Sequence, residues 1–201
     1  MSTTKDYWSQ RYIEERTGWD LGTASLPLQT YFDQLTNKDL SILIPGAGNS
    51  YEAEYLYKNG FSNVEVLDIA NEPLQAFAER NPDFPKNQLL EADFFEFEGQ
   101  YDLIIEQTFF CSFPPLPETR KAYAKKMYEL LKPNGKLVGL WFDIPLTGDL
   151  EKRPFGGDKE EYLSYFSEYF EVLSFEKSYN SVAARKDIEL FGIFKSKCQF
   201  E

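Results

Sequence analysis

The sequence predicts a doubly wound α/β fold: a mostly parallel seven-stranded sheet with helices on both faces, preceded by an N-terminal helical segment. Three observations carry this. Between Ser41 and Phe142, short apolar runs alternate with stretches of helical spacing, the pattern of βαβ units. Glycine, proline and asparagine punctuate the joins. The last two apolar runs are separated by a polar loop too short for a crossover helix, so they must pair antiparallel.

Taken in order, Asp6–Arg16 carries Tyr7, Trp8 and Tyr12 with charges between them, as a short amphipathic helix does. Thr17-Gly18-Trp19-Asp20-Leu21-Gly22 reads as a loop. Leu26–Leu35 has helical spacing, with Pro27 suited to a first turn. Ser41–Ile44 is the first strand, ended by Pro45-Gly46-Ala47-Gly48. Tyr51–Asn59 is a helix that Gly60 can close. Val64–Ile69 is a strand, Glu72–Arg80 a helix, and Gln88–Leu90 a brief strand leading to Glu91-Ala92-Asp93. Tyr101–Glu106 is a strongly apolar strand, and Glu118–Leu131 a helix closed by Lys132-Pro133-Asn134-Gly135. Lys136–Phe142 is the fifth strand, Glu160–Tyr169 a helix, and Phe170–Lys177 and Asp187–Lys195 the last two strands.

At 201 residues, 42% of them hydrophobic, the chain fits one domain that needs no disulfide or metal to stay folded. The net charge of −12 and the scattered lysines and arginines argue against nucleic acid, which needs a basic stripe. A small neutral or cationic ligand is expected, although acidity also serves solubility. Cys111 and Cys198 form no C-x-x-C pair and there is no histidine, so no metal site is expected and the commonest general base is missing. The polar Met1–Gln10 and the strand-sized apolar runs predict a cytoplasmic protein with no membrane partner.

The loop Ile44-Pro45-Gly46-Ala47-Gly48-Asn49-Ser50 joins a strand to a helix, and its glycines let the backbone approach a ligand. Tyr51 stands where a dinucleotide fingerprint has its third glycine, which weakens a pyrophosphate reading. Asp68 ends the second strand, 20 residues after Gly48, where an acid accepts hydrogen bonds from ribose hydroxyls. Asp93, with Phe94 and Phe95, offers a carboxylate for an adenine amino group and apolar surface for its ring; Glu106-Gln107 ends the fourth strand. Singly, each acid also reads as a helix cap. Together with the glycine loop they point to a nucleoside.

Several segments extend this pattern. They are Trp8…Trp19-Asp20-Leu21-Gly22, Ile44-Pro45-Gly46-Ala47-Gly48, Val66-Leu67-Asp68-Ile69, Asp102-Leu103-Ile104…Phe109-Phe110-Cys111, Met127-Tyr128-Glu129-Leu130-Leu131-Lys132-Pro133-Asn134-Gly135 and Arg153-Pro154-Phe155. In this order, over nearly the whole chain, they resemble the thiopurine S-methyltransferase-like family, in particular its plant halide/thiol methyltransferase branch. The resemblance implies the Rossmann-like class I methyltransferase fold, with one antiparallel strand in its seven-stranded sheet. It implies S-adenosyl-L-methionine as cofactor, S-adenosyl-L-homocysteine as product, and methyl transfer to a small thiol, hydrosulfide or halide. It also implies one domain over residues 1–201: a helical cap at 1–36, a cofactor-binding half at 40–143, and a substrate-side loop with the C-terminal hairpin at 144–201.

Position by position, the resemblance places Trp8, Tyr12 and Trp19 on the methionine side of the cofactor and the roof of the active site. Tryptophan faces attract cations such as a sulfonium. Gly46 would meet the aminoacyl part, with Gly48 in the same loop; Asp68 would meet the ribose, and Asp93 with Phe94 the adenine. Gln107 stands where relatives carry Arg or Tyr near cofactor and substrate, and Tyr12 where the plant branch has Trp. Arg185, in the loop Ser178–Lys186, matches an arginine near the substrate and is the expected catalytic cation beside the acceptor sulfur. Glu106 is open to two readings, base or cofactor-side acceptor. The loop Lys152–Gly157, with Arg153, is expected to act as a lid with glycine flexibility. Cys111, with no histidine to activate it, is expected to be a small buried residue. The partner would be a small methyl acceptor and the chain a monomer or weak dimer. Two other functions fit the residues: a non-catalytic S-adenosylmethionine-binding module, and an NAD-dependent Rossmann oxidoreductase.

Overall fold

The computed structural model describes residues 5–146, 149 and 153–197; Cys198, and Lys152 of the expected lid, lie outside them. Residues up to Phe97 form one compact unit and those from Glu98 onward a second.

The first unit opens with α1 (Lys5–Ile13) and α2 (Leu26–Phe32), the latter started by Pro27, whose fixed φ suits a first turn. Then come β1 (Ile42–Pro45), α3 (Tyr51–Lys58), β2 (Val64–Asp68), α4 (Asn71–Arg80) and β3 (Leu89–Glu91). The strands are parallel in the order β3-β2-β1. Every residue of β1 is buried, as a strand covered on both faces requires. Leu28, Phe32, Ala53, Leu56, Val66, Leu74 and Phe77 are buried with it. Gly60, at φ +87°, turns the chain out of α3 in a conformation that side chains with a Cβ resist.

The second unit holds β4 (Tyr101–Gln107), α5 (Pro117–Glu129), β5 (Leu131–Phe142), α6 (Lys159–Phe166), β6 (Phe170–Lys177) and β7 (Glu189–Ser196). β4 and β5 are parallel, and β7 runs antiparallel between β5 and β6. Asp158 caps α6 by accepting the Glu161 N–H at 2.8 Å. The interior is aromatic: Trp141, Phe166, Phe175 and Phe194 meet edge to face or tilted at 5.1–5.7 Å between centroids. Gly192 makes room for them, since a Cβ there would come within 2.8 Å of Trp141 and 2.9 Å of Phe175.

The seven strands, mostly parallel with β7 reversed, are those the sequence predicts. The ends differ in one instructive place. Residues 132–135 do not separate a helix from a strand. They form a bulge inside β5, with the register stepping from Tyr101↔Leu131 to Leu103↔Lys136. Asn134 takes a left-handed φ of +64° there. Proline, asparagine and glycine in a row read as a terminator, but parallel pairing with β4 holds both flanks in the sheet.

Candidate functional site

In the first unit, three parallel strands deliver their carboxyl ends to one edge, where open α/β sheets place ligands. After β1 the loop bends sharply at Gly46 (φ +56°) and Gly48 (φ +53°), conformations that are cheap only without a Cβ. Asp68, 7% exposed, fixes that bend: one carboxylate oxygen accepts the Gly48 N–H and the other the Ala70 N–H, both at 2.9 Å. Burial pushes this carboxyl up to about 6, against the pull of its backbone donors. With the Ile69 N–H as a third backbone donor, the carboxylate keeps acceptor capacity for about one ligand hydroxyl. Next along the edge, Ala92 N–H donates to the Asp68 carbonyl at 3.1 Å. Asp93 follows, exposed, one oxygen accepting the Phe95 N–H at 2.8 Å, with Phe94 buried and edge-on to Phe95 at 5.2 Å.

The N-terminal aromatics stand against the same loop. Trp19 meets Trp8 at 5.6 Å and Tyr12 at 5.8 Å, both edge to face. A Cβ on Gly48 would lie 2.9 Å from the Tyr12 hydroxyl and 4.0 Å from Trp19 Nε1. Trp8, Tyr12 and Trp19 are only half-buried, unlike core aromatics. Two contacts absent from the sequence reading bring the segment here. Asp20 turns its own loop by accepting the Gly22 N–H at 2.7 Å, and with its other oxygen accepts from the Asn49 side chain. Lys5 pairs with Glu91, the last residue of β3. The Asp-x-Gly spacing of an Asx turn was the available signal for Asp20.

In the second unit, β4 ends in Glu106-Gln107, level with Gly139-Leu140 of β5. Glu106 is fully buried. One oxygen accepts the N–H groups of Phe109 and Phe110, and the other accepts the Tyr123 hydroxyl. A Cβ at Gly139 would overlap the Glu106 main chain, so that glycine is required by the carboxylate's seat. Burial pushes Glu106 up to about 7. Its geometry is that of a residue holding the following turn. Gln107 is next, its side-chain oxygen buried without a hydrogen-bond partner. Thr108 takes φ +53°, a strained conformation for a β-branched residue of the kind that clusters at functional sites.

Arg185 sits beside that edge because the antiparallel register sets Glu189 opposite Phe142. It is not an exposed loop arginine. It is 6% exposed, donates to Glu189 at 3.0 Å, and lies 5.2 Å from the Phe142 ring centroid. Glu189 also accepts from Ser181 at 2.6 Å. Cys111 is buried, its thiol donating to the Thr108 carbonyl at 2.8 Å, and burial raises its pKa; it is the small interior residue expected.

The expected flexible lid is corrected. Arg153 donates to the Ser112 carbonyl at 2.9 Å, Phe155 N–H to the Cys111 carbonyl at 2.8 Å, and Arg120 to the Gly156 carbonyl at 2.7 Å. Gly156 and Gly157 are glycines because Cβ atoms would strike the Ile144 carbonyl and the Tyr162 ring. They are there for closeness. Arg120 itself is fully buried, paired with Glu161 at 2.6 Å and set over Phe110 at 4.9 Å. Sequence reasoning missed it, because one arginine on an amphipathic helix carries no mark of burial.

Residues 3–197 match the family profile described as thiopurine S-methyltransferase (TPMT). The chain belongs to the thiopurine S-methyltransferase family. Among relatives, it is 31% identical to thiocyanate methyltransferase 1 of Arabidopsis thaliana over 94% of this chain and 83% of that one. It is 28% identical to probable thiol methyltransferase 2 of the same plant, over 96% and 86%. Among solved structures, a Burkholderia thailandensis 1,6-didemethyltoxoflavin-N1-methyltransferase, crystallised with S-adenosylhomocysteine, superposes with a TM-score of 0.75 at 13% identity over 96% of this chain and 87% of that one. The fold class and the S-adenosylmethionine-dependent methyltransferase activity expected from the sequence are those of this family. The residues of the first unit fit that cofactor. A backbone bend that excludes a Cβ, a buried carboxylate with acceptor capacity left, and half-buried indoles suit the aminoacyl, ribose and sulfonium parts.

Proposed function

We propose that this methyltransferase acts on a small soft nucleophile, a thiol, hydrosulfide, thiocyanate or halide. In this reading Trp8, Tyr12, Trp19, Gly46, Gly48, Asp68, Asp93 and Phe94 bind S-adenosylmethionine, and Gln107 and Arg185 face the acceptor. Bound there, S-adenosylmethionine supplies a methyl group on a positively charged sulfur that leaves as a neutral thioether.

The observation that carries the reading is the lack of imidazole together with a Glu106 carboxylate already engaged by donors. The chain has no histidine. Glu106 is held by three donors, and the Cys111 and Tyr123 pKa values are raised by burial. Such a site suits acceptors that are already nucleophiles, for which positioning and desolvation suffice. A thiol must first reach its thiolate, a form that a nearby guanidinium favours to the extent that its own carboxylate partner leaves it charge to share. The acidic chain, with its net charge of −12, supports action apart from nucleic acid, as a monomer or weak dimer. The names of the plant relatives support the acceptor class.

The test is transfer of radiolabelled methyl from S-adenosylmethionine to a panel of thiols, hydrosulfide, thiocyanate, iodide, amines and alcohols. Labelled product is expected from the soft acceptors alone. Arg185→Gln should cut kcat/KM for thiols by about 10- to 100-fold, the scale of one charged hydrogen bond. Cofactor affinity should hold. Transfer only to amines or alcohols, or an unchanged kcat/KM in the variant, contradicts the proposal.

A further inference from the structure

The cofactor expected at the glycine loop ends in an amino acid, and its carboxylate calls for a cation. The basic residues of the first unit are mostly committed. Lys5 is paired with Glu91, Arg16 with Glu14, and Lys58 and Arg80 with Glu54. Lys38 lies over the Phe61 ring at 3.9 Å. Arg11 is placed differently. Its guanidinium lies 5.3 Å from the Trp19 ring centroid and 6.0 Å from that of Tyr7, and its Nε is buried with no hydrogen-bond partner. Trp19 is the same indole whose Nε1 approaches Gly48.

Helical spacing explains the placement. Tyr7 and Arg11, and Trp8 and Tyr12, are four residues apart on α1, so each pair stands on neighbouring stripes of one face. That face meets Trp19. A guanidinium close to aromatic rings keeps its N–H donors in its own plane, in the fork geometry that matches a carboxylate. A buried donor left unmade is costly, so a site that tolerates one is built for an acceptor that arrives.

We propose that Arg11 receives the carboxylate of the cofactor's amino-acid end, with Trp19 as the platform that orients it. The inference rests on the cofactor site described above. It makes the aromatic segment a recognition element for the amino acid as well as a wall near the sulfonium. An anionic acceptor is the other source of negative charge, and the test separates the two by omitting acceptor altogether.

Calorimetric titration compares the full chain with Arg11→Gln and Arg11→Lys, using S-adenosylhomocysteine and its decarboxylated analogue, which retains the amine. The unaltered protein should bind S-adenosylhomocysteine about 10- to 100-fold more tightly than the analogue, the usual range for a charge-assisted contact. Arg11→Gln should lose that preference while binding the analogue normally, which also reports an intact fold, and Arg11→Lys should recover part of it. Equal weakening of both ligands, or undiminished affinity for S-adenosylhomocysteine, overturns the role of Arg11. If the unaltered protein binds neither ligand, the cofactor site itself is wrong, and that outcome is distinct from the others.

Discussion

The two units hold their functional residues by contrasting means. In the first, the backbone does the work: two left-handed glycines and one aspartate accepting main-chain N–H groups define the bend, and side chains lean on it. In the second, buried side chains do it. Glu106, Tyr123, Arg120 and Glu161 tie the turn after β4, α5, the 153–157 segment and α6 into one network. A backbone site tolerates replacement of most side chains around it. A side-chain network concentrates its energy in a few residues, and each of them is expensive to remove.

The largest effect should therefore come from Arg120. Its removal strands a Glu161 carboxylate, 20% exposed on its side chain, and the buried Gly156 carbonyl. Arg120→Ala should cost about 3 kcal/mol, the lower end of what breaking a buried pair costs, read as a shifted urea midpoint. The folded fraction should still bind S-adenosylhomocysteine normally. A loss below about 1 kcal/mol, the scale of an exposed pair, would erase the contrast between the units.

On the other side, Gly48→Ala should cost about 1–2 kcal/mol for forcing a Cβ into a left-handed conformation. The added atom also meets the Tyr12 hydroxyl at 2.9 Å. With the bend as the proposed cofactor seat, S-adenosylhomocysteine affinity should fall by at least about tenfold, equivalent to 1.4 kcal/mol. This variant inverts the Arg120 result: smaller in stability, larger in cofactor binding. Both changes moving together in both variants would show that the units are not held in different ways.

The same contrast explains what was legible in the sequence. The strand order, the reversed β7 and the Gly46–Gly48, Asp68 and Asp93 positions follow from short-range signals: alternation, glycine pairs, acids at strand ends. Arg120, Glu161 and Glu189 carry no such signal. Their meaning comes from partners 41 residues apart in one case, and from an antiparallel register in the other. Glycines misled in a specific way. Gly156 and Gly157 read as flexibility and turn out to be steric necessity, since nothing local reveals the Ile144 carbonyl and the Tyr162 ring against them. Arg185 was legible as a position and not as an environment, because its burial depends on Glu189 and Phe142.

The smallest effect is expected from Glu106→Gln, and it decides whether that carboxylate is a base or a fixture. Glutamine has the same shape, can accept the Phe109 and Phe110 N–H groups, and can donate to the Tyr123 oxygen. Burial raises the folded-state pKa of Glu106 to about 7 from an ordinary 4.5. Between those values the native state holds a proton that the unfolded state has released, so the native protein loses stability as pH rises through this window. Asp68, raised to about 6, adds a slope of the same sign at lower pH, so the informative quantity is the difference between native and variant. Near pH 5 the two should unfold together; towards pH 8 the glutamine variant should gain on the native chain. If Glu106 only holds the turn, kcat should stay within about twofold, whereas removing a general base costs about 10²- to 10⁴-fold. A loss of that size with the fold intact would move Glu106 from the network to the chemistry, and the second unit would then hold a base after all.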